Sequence, residues 1–176
     1  RESCYGTPES YFAWAKESLF KYSALKCAGL AGLVWFRIFY VYGPGQRVAA
    51  LIPMVARSLE EGARPAVRAP FNRSDFVYVE DVARAFGLAL TTEVESGIYN
   101  LGSGRSASVI DICKIVERQL VGGCDFSESL AHTSRGEDDA VDFWAATDKT
   151  RSALGWRSAT GLDEGIRRFL EYRITR

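Results

Sequence analysis

The chain has 176 residues, 47% of them hydrophobic, which is the size of one domain able to bury roughly 70% of its extended surface. Its 22 basic and 22 acidic residues cancel, so it lacks the basic footprint of a nucleic-acid or membrane-surface binder, while small neutral or anionic ligands stay open. Cys4, Cys27, Cys113 and Cys124 have no Cys-x-x-Cys spacing, His132 is the single histidine, and no run approaches the ~18 apolar residues of a membrane span; the expectation is a cytoplasmic protein with free thiols, no metal site, no nucleic-acid partner and no membrane partner.

Taken in order, Pro8 and Ser10 supply the turn and cap of a helix that runs to about Cys27, with Gly29 as its stop. On it Phe12 and Lys16 are four apart and share a face. Tyr11 precedes Lys16 by five residues, about 500° of helical rotation, which leaves the two roughly 140° apart. Residues 33–42, Leu-Val-Trp-Phe-Arg-Ile-Phe-Tyr-Val-Tyr, form an apolar run without polar alternation, the pattern of a buried parallel strand. It ends in Gly43-Pro44-Gly45-Gln46, a turn at the strand end where open α/β sheets place ligands.

Residues 49–62 predict an amphipathic helix with Leu51, Ile52, Val55 and Leu59 inward and Gly62 closing it. A short strand and loop follow over 64–67 and 71–73; then Phe76, Tyr78 and Val79 predict a short strand, and Glu80-Asp81 open a helix where negative charge suits the dipole. That helix offers Val82, Ala85, Phe86, Ala89 and Leu90 as its apolar face. Residues 97–101 predict a strand ending in Gly102-Ser103-Gly104, a turn without the Lys-Ser/Thr of a phosphate loop, and hence a device for turning the chain. Ser106 or Ser108 caps a helix over 109–120, and 122–142 is a polar loop in which His132 is a loop residue. Asp142-Phe143-Trp144-Ala145 is an edge strand, Asp148 caps the next helical turn, Gly155-Trp156 ends it, and a last helix spans about 162–172. No Gly-x-Gly-x-x-Gly follows a predicted strand, so the phosphate-cradling turn of a dinucleotide fold is not expected in this chain.

Pro8-Glu9-Ser10-Tyr11-Phe12-Ala13-Trp14-Ala15-Lys16 resembles the Pro-x-Ser-x-Tyr-x-x-x-Lys segment of the extended short-chain dehydrogenase/reductases, the NAD-dependent nucleotide-sugar epimerases and dehydratases. In that family the Tyr is the acid/base, and the Lys holds the nicotinamide ribose and lowers the Tyr pKa. Phe12 stands at the Tyr position, through an engineered change, natural loss of activity, or a local shift in which Tyr11 substitutes. Arg37, Tyr42, Gly43, Pro44 and Gly45 match a second family segment; its backbone, here Ile38, Phe39 and Tyr40, borders the nicotinamide, and Tyr40 takes the place of an Asn that approaches the sugar nucleotide. Ala50 and Leu51 are similar to a segment lining the nucleotide pocket. Asp75-Phe76-Val77-Tyr78-Val79-Glu80-Asp81-Val82-Ala83 resembles a signature whose Arg binds the diphosphate; Ser74 stands there, with Arg73 one residue earlier. Arg135 is similar to a further phosphate-binding Arg.

The resemblance implies an α/β fold: the C-terminal part of a Rossmann-like doubly wound parallel sheet plus a small mixed α/β substrate-binding subdomain. Residues 1–100 would complete the NAD-binding part, with substrate-domain segments interleaved at about 45–75, and residues 101–176 would be mainly the substrate-binding subdomain and C-terminal helices. The chain is thus expected to be the C-terminal half of an enzyme that uses NAD or NADP on a nucleotide-diphosphate sugar, as an isomerase, lyase or oxidoreductase, with the first helix pointing to a homodimer. Without the phenol and the cofactor loop, the chain itself is expected to be inactive. A non-catalytic nucleotide-binding or scaffolding homologue, or a reductase or decarboxylase on the same scaffold, is the alternative.

Overall fold

The computed structural model of the chain describes residues 10–123, 125–133 and 140–175. Ser10 caps α1 (Tyr11–Cys27), its hydroxyl accepting the Ala13 N–H at 3.2 Å, and Gly29 follows the last turn at φ 72°, as the sequence predicts. None of the α1 residues is fully buried. Its aromatic and aliphatic side chains are spread around the helix, and Phe20 reaches the sheet by an edge-to-face contact with Trp35 at 5.2 Å.

β1 (Val34–Ile38) pairs in parallel with β4 (Gly97–Leu101). Phe39 continues that ladder by one bond, its N–H donating to Leu101 O at 3.0 Å. The chain then joins a second sheet as β2 (Tyr40–Tyr42), parallel to β3 (Arg73–Tyr78), which is antiparallel to β5 (Ser106–Ser108). The run expected to be one buried strand is therefore two strands in two sheets, and it is not buried along its length: Ile38 and Tyr40 are 42% and 56% exposed, whereas Tyr42 is closed off. An unalternating apolar run says that both faces tolerate apolar neighbours; it does not say that a layer covers each face.

Alternation along β3 separates two cores. Tyr78, with Tyr42, packs against α2 (Leu51–Glu60), α4 (Val109–Val121) and α7 (Leu162–Ile174) through Ile52, Val55, Ile112, Val116, Ile166 and Phe169. Val77, on the other face, packs with Val82 and Ala85 of α3 (Val79–Thr91), Leu154 of α6 (Asp148–Leu154) and Trp156. Gly165 is required where α7 crosses Tyr42, because a Cβ there would lie 2.1 Å from the Tyr42 hydroxyl oxygen.

Five local expectations are corrected. Residues 64–67 form no strand; the strand begins at Arg73, where β5 supplies a partner. On α3, Val82, Ala85 and Ala89 pack inward as expected, but Phe86 and Leu90 are exposed. The stretch expected to be a polar loop contains α5 (Asp125–Thr133), so His132 falls on a helix. The buried Glu117 carboxylate accepts the N–H groups of Phe126 and Ser127 at 2.7 and 3.0 Å, giving α5 the cap that its own sequence lacks. Asp142 makes one bridge to Arg73 rather than an edge strand over 142–145. Asp148 lies inside α6, paired with Arg151 at 2.7 Å, and Thr147 is the N-cap. Of the two serines offered as a cap for α4, Ser108 is the one, in a reciprocal capping box with Asp111; Ser106 belongs to β5.

Two buried carboxylates tie the loops to this frame. Asp75 accepts from Ser103 N and Oγ, both at 2.6 Å, from Gly104 N at 2.9 Å and from Ala145 N at 3.0 Å. Asp81 accepts from Ser158 Oγ, Ala159 N and Thr160 N at 3.1, 2.9 and 2.8 Å, with Arg84 at 3.0 Å. Asp75→Ala should lower stability by about 3 kcal/mol or more, at ~1–3 kcal/mol for each buried N–H left without an acceptor. Urea unfolding of the variant checks this; a loss no larger than that of Ser103→Ala would mean that the carboxylate is not the anchor.

A pH dependence follows from the first core. Burial, and then the neighbouring Glu117 charge, push the Cys113 thiol from 9.0 up to about 12. The folded chain keeps this proton while the unfolded chain loses it, so the contribution is complete below pH 9 and disappears as pH climbs toward 12. Tyr42, raised by burial, acts in the same direction. Stability measured across that alkaline interval should fall, and Cys113→Ala should make the fall shallower; an unchanged slope would contradict the assignment.

Candidate active site

Phe12 and Lys16 stand one turn apart on α1, and the Lys16 ammonium lies 4.2 Å from the Phe12 ring centroid. This is a cation on an aromatic face, worth about 0.5–1 kcal/mol when exposed. A phenol at position 12 would bring a hydroxyl to that cation; a phenyl ring brings no exchangeable proton. α1 is regular from Tyr11 onward, so the rotation computed from spacing holds and Tyr11 lies on a different face from Lys16.

A second group gathers where β1 ends and β2 begins. Phe39 lies 6.2 Å from Phe143, and Tyr40 lies 5.7 Å from Phe76 and 6.1 Å from Phe143, as ring centroids. Tyr40 opposes Phe76 in the β2–β3 register, so these rings share one face of the sheet. Ile38 ends β1 with its side chain exposed. Ala50 is the N-cap of α2 without a side-chain bond, and the half-buried Leu51 is its first residue.

Arg73 lies apart from the aromatic group. It is on the Asp75 face of β3, opposite Phe76. Its guanidinium donates to Ser106 Oγ at 3.3 Å and Ser106 O at 3.1 Å, and lies 3.5 Å from the Asp111 carboxylate and 3.7 Å from that of Asp142. Each of these half-exposed ion pairs is worth at most about 1 kcal/mol. A phosphate could still recruit Arg73, in competition with two carboxylates. Arg135 lies outside the described residues.

The sequence pattern assigns no individual role to Asp75 or Phe143. The signal for Asp75 was present: a lone acid inside an otherwise strand-forming segment is rarely buried unless several donors surround it. Those donors are the Ser103 and Gly104 N–H groups, so the glycine-rich turn is spent on Asp75 and offers no cradle to a dinucleotide phosphate. Phe143 had no such signal, since its place beside Tyr40 depends on Asp75 and Arg73 holding residues 142–145. Among the described residues, no three His, Cys, Asp or Glu side chains converge to hold a metal ion, and no helix is long and apolar enough to cross a membrane.

The family model for the NAD dependent epimerase/dehydratase family matches residues 5–102, more than half of the chain. Escherichia coli (strain K12) dTDP-glucose 4,6-dehydratase 1 is 27% identical over 139 residues, covering 76% of this chain but 38% of that protein. Among solved structures, MoeE5 in complex with UDP-glucuronic acid and NAD is 26% identical with a TM-score of 0.81, over 99% of this chain and 58% of that one. A Tyr-to-Phe mutant of UDP-glucuronic acid 4-epimerase from Bacillus cereus, in complex with UDP-4-deoxy-4-fluoro-glucuronic acid and NAD, shares the fold at a TM-score of 0.79 and 21% identity, over 99% of this chain and 56% of that one. The α/β arrangement described above therefore corresponds to part of a Rossmann-like epimerase/dehydratase fold, and the chain spans well under two thirds of the proteins that it matches.

The aromatic group can be checked by a double-mutant cycle on Tyr40→Ala and Phe143→Ala. The expected coupling is about 0.5–1.5 kcal/mol in unfolding free energy. Strict additivity would show that the rings do not meet in solution.

Proposed function

This chain belongs to the NAD-dependent epimerase/dehydratase family, and from that premise we propose that it forms the substrate-side part of a protein that binds a nucleotide-diphosphate sugar next to NAD, with catalysis silenced at position 12. The observation that carries the proposal is the Lys16 ammonium held 4.2 Å from the Phe12 ring, the geometry of an acid/base pair from which the acid/base hydroxyl has been removed.

In this reading Lys16 orients the nicotinamide ribose, and the backbone of Ile38, Phe39 and Tyr40 borders the nicotinamide ring. NAD, when bound, supplies the hydride acceptor for transient oxidation of a sugar hydroxyl. Position 12 faces that hydroxyl and cannot take its proton. Tyr40, with Phe76 and Phe143 beside it, offers rings and a phenol where the family places an amide, so the sugar nucleotide meets an apolar wall. Arg73 reaches the diphosphate only by exchanging Asp111 and Asp142 for it. Phosphate binding of the dinucleotide falls to residues other than the Gly102–Gly104 turn, whose second and third N–H groups Asp75 occupies.

A non-catalytic nucleotide-binding role is the second reading; it shares the Lys16–Phe12 geometry and differs in expecting no turnover from a restored phenol. The two separate in one experiment on the full-length protein. NAD binding is followed by tryptophan fluorescence, and turnover of UDP- and dTDP-hexoses is assayed before and after Phe12→Tyr. If the site is a silenced acid/base site, both proteins bind NAD and the variant gains about 10²- to 10⁴-fold in turnover. Binding without any gain supports the non-catalytic reading, and absence of NAD binding in both overturns the cofactor assignment.

A further inference from the structure

A cleft of about 410 Å³ opens beside the ring cluster, between β5 with the turn before it and the residues that lead into α7. Its lining includes Phe76, Ser103, Arg105, Ala107, Thr160 and Leu162. Phe76 belongs to both places: it lines the cleft, and its ring centroid lies 5.7 Å from that of Tyr40. The cleft therefore continues the aromatic wall, and its volume falls within the roughly 300–1,000 Å³ of small-molecule pockets.

Among the described residues, Arg105 is the single charged member of this lining, and no Asp or Glu shares it. The strand register accounts for its place. β3 and β5 pair antiparallel with Ser74 opposite Ala107 and Asp75 opposite Ser106, so one further step brings Arg105 toward Phe76. Side chains alternate along a strand, which puts Arg105 with Ala107 on the Phe76 side, away from Asp75 and Arg73. Arg105 is exposed, and among the described residues its guanidinium has no hydrogen-bond or ion-pair partner.

These features set it apart from Arg73, which is held on the other face by Ser106, Asp111 and Asp142 and must exchange two carboxylates for a phosphate. Arg105 gives up only water. A guanidinium with no carboxylate beside it presents its fork of donors to a pair of phosphoryl oxygens. Apolar rings at one end of a continuous surface and a lone cation at the other suit a molecule in which an uncharged ring is joined to a diphosphate.

We propose that Arg105, rather than Arg73, is the cation that binds the diphosphate, and that this cleft holds the nucleoside diphosphate part of a nucleotide sugar whose sugar lies against Tyr40, Phe76 and Phe143. The proposal rests on the nucleotide-sugar reading above and adds the residue that meets the charge.

The test is titration calorimetry on the full-length protein with UDP, dTDP and NAD, since a dinucleotide carries the same diphosphate chemistry. Arg105→Gln removes the charge and Arg105→Lys keeps it; thermal melts verify that both variants fold. The expected result is UDP or dTDP affinity at least about fivefold weaker in Arg105→Gln, partly recovered in Arg105→Lys, with NAD affinity unchanged. A smaller loss of UDP and dTDP affinity overturns this proposal and leaves the nucleotide-sugar reading standing. A loss for NAD as large as that for UDP or dTDP assigns Arg105 to the dinucleotide and overturns it as well. Binding of neither UDP nor dTDP by the unsubstituted protein overturns the proposal together with the nucleotide-sugar reading.

Discussion

The Asp75 carboxylate is the constraint on which the arrangement of this chain depends. It sits on β3, between the two cores, and takes four hydrogen bonds from two loops that are distant in sequence. An isolated carboxylate cannot be buried at tolerable cost, so the donors must be present whenever the strand is inside. That requirement fixes the glycine turn after β4 and the segment leading to α6 at the same time. Gly102 follows from it: a Cβ there would lie 2.6 Å from Asp75 Oδ2 and 2.5 Å from the Ala145 side chain. Asp81 repeats the device six residues later, pinning residues 158–160 ahead of α7. With both carboxylates fixed, α6 and α7 are held on opposite sides of one strand.

This division carries over to the candidate site. Because residues 142–145 are held by Asp75 and by the Arg73 bridge, Phe143 is delivered to the ring cluster around Tyr40. Because Arg73 shares the Asp75 face, its guanidinium serves the same anchoring work and is held by Ser106, Asp111 and Asp142. One strand thus presents rings on one side and a charged lattice on the other. Its period of two separates a ring-bearing surface from a charged, anchoring one within six residues.

The helices and their ends were legible in the sequence wherever caps and periodicity agreed: Ser10 for α1, one of Ser106 and Ser108 for α4, and the spacing of Ile166, Phe169 and Leu170 for α7. The pairing of Phe12 with Lys16 was legible for the same reason, since helical geometry alone brings positions four apart together. What was not legible depended on contacts across the chain. The division of residues 34–42 between two sheets needs the partners β4 and β3, and α5 needs the Glu117 carboxylate, eight residues before its first helical position and on another helix. The exposure of Tyr40 likewise follows from which layers cover β2, and no local pattern encodes that.

Under the proposed function, the Phe12 and Lys16 pair separates a binding geometry from a chemical one. A cation on a phenyl face is worth about 0.5–1 kcal/mol at an exposed site, enough to bias the lysine rotamer without burying its charge. The ammonium therefore stays exposed beside the ring, and in the proposed function that leaves it available to a ribose hydroxyl. Loss of the proton-transfer group removes about 3–5 kcal/mol of transition-state stabilisation, if general acid/base chemistry supplies its usual 10²- to 10⁴-fold. The two energies act on different states, the first on the resting geometry and the second on the transition state. In the proposed function, Phe at position 12 would remove turnover while leaving recognition intact, so binding and catalysis are separate readouts of that proposal.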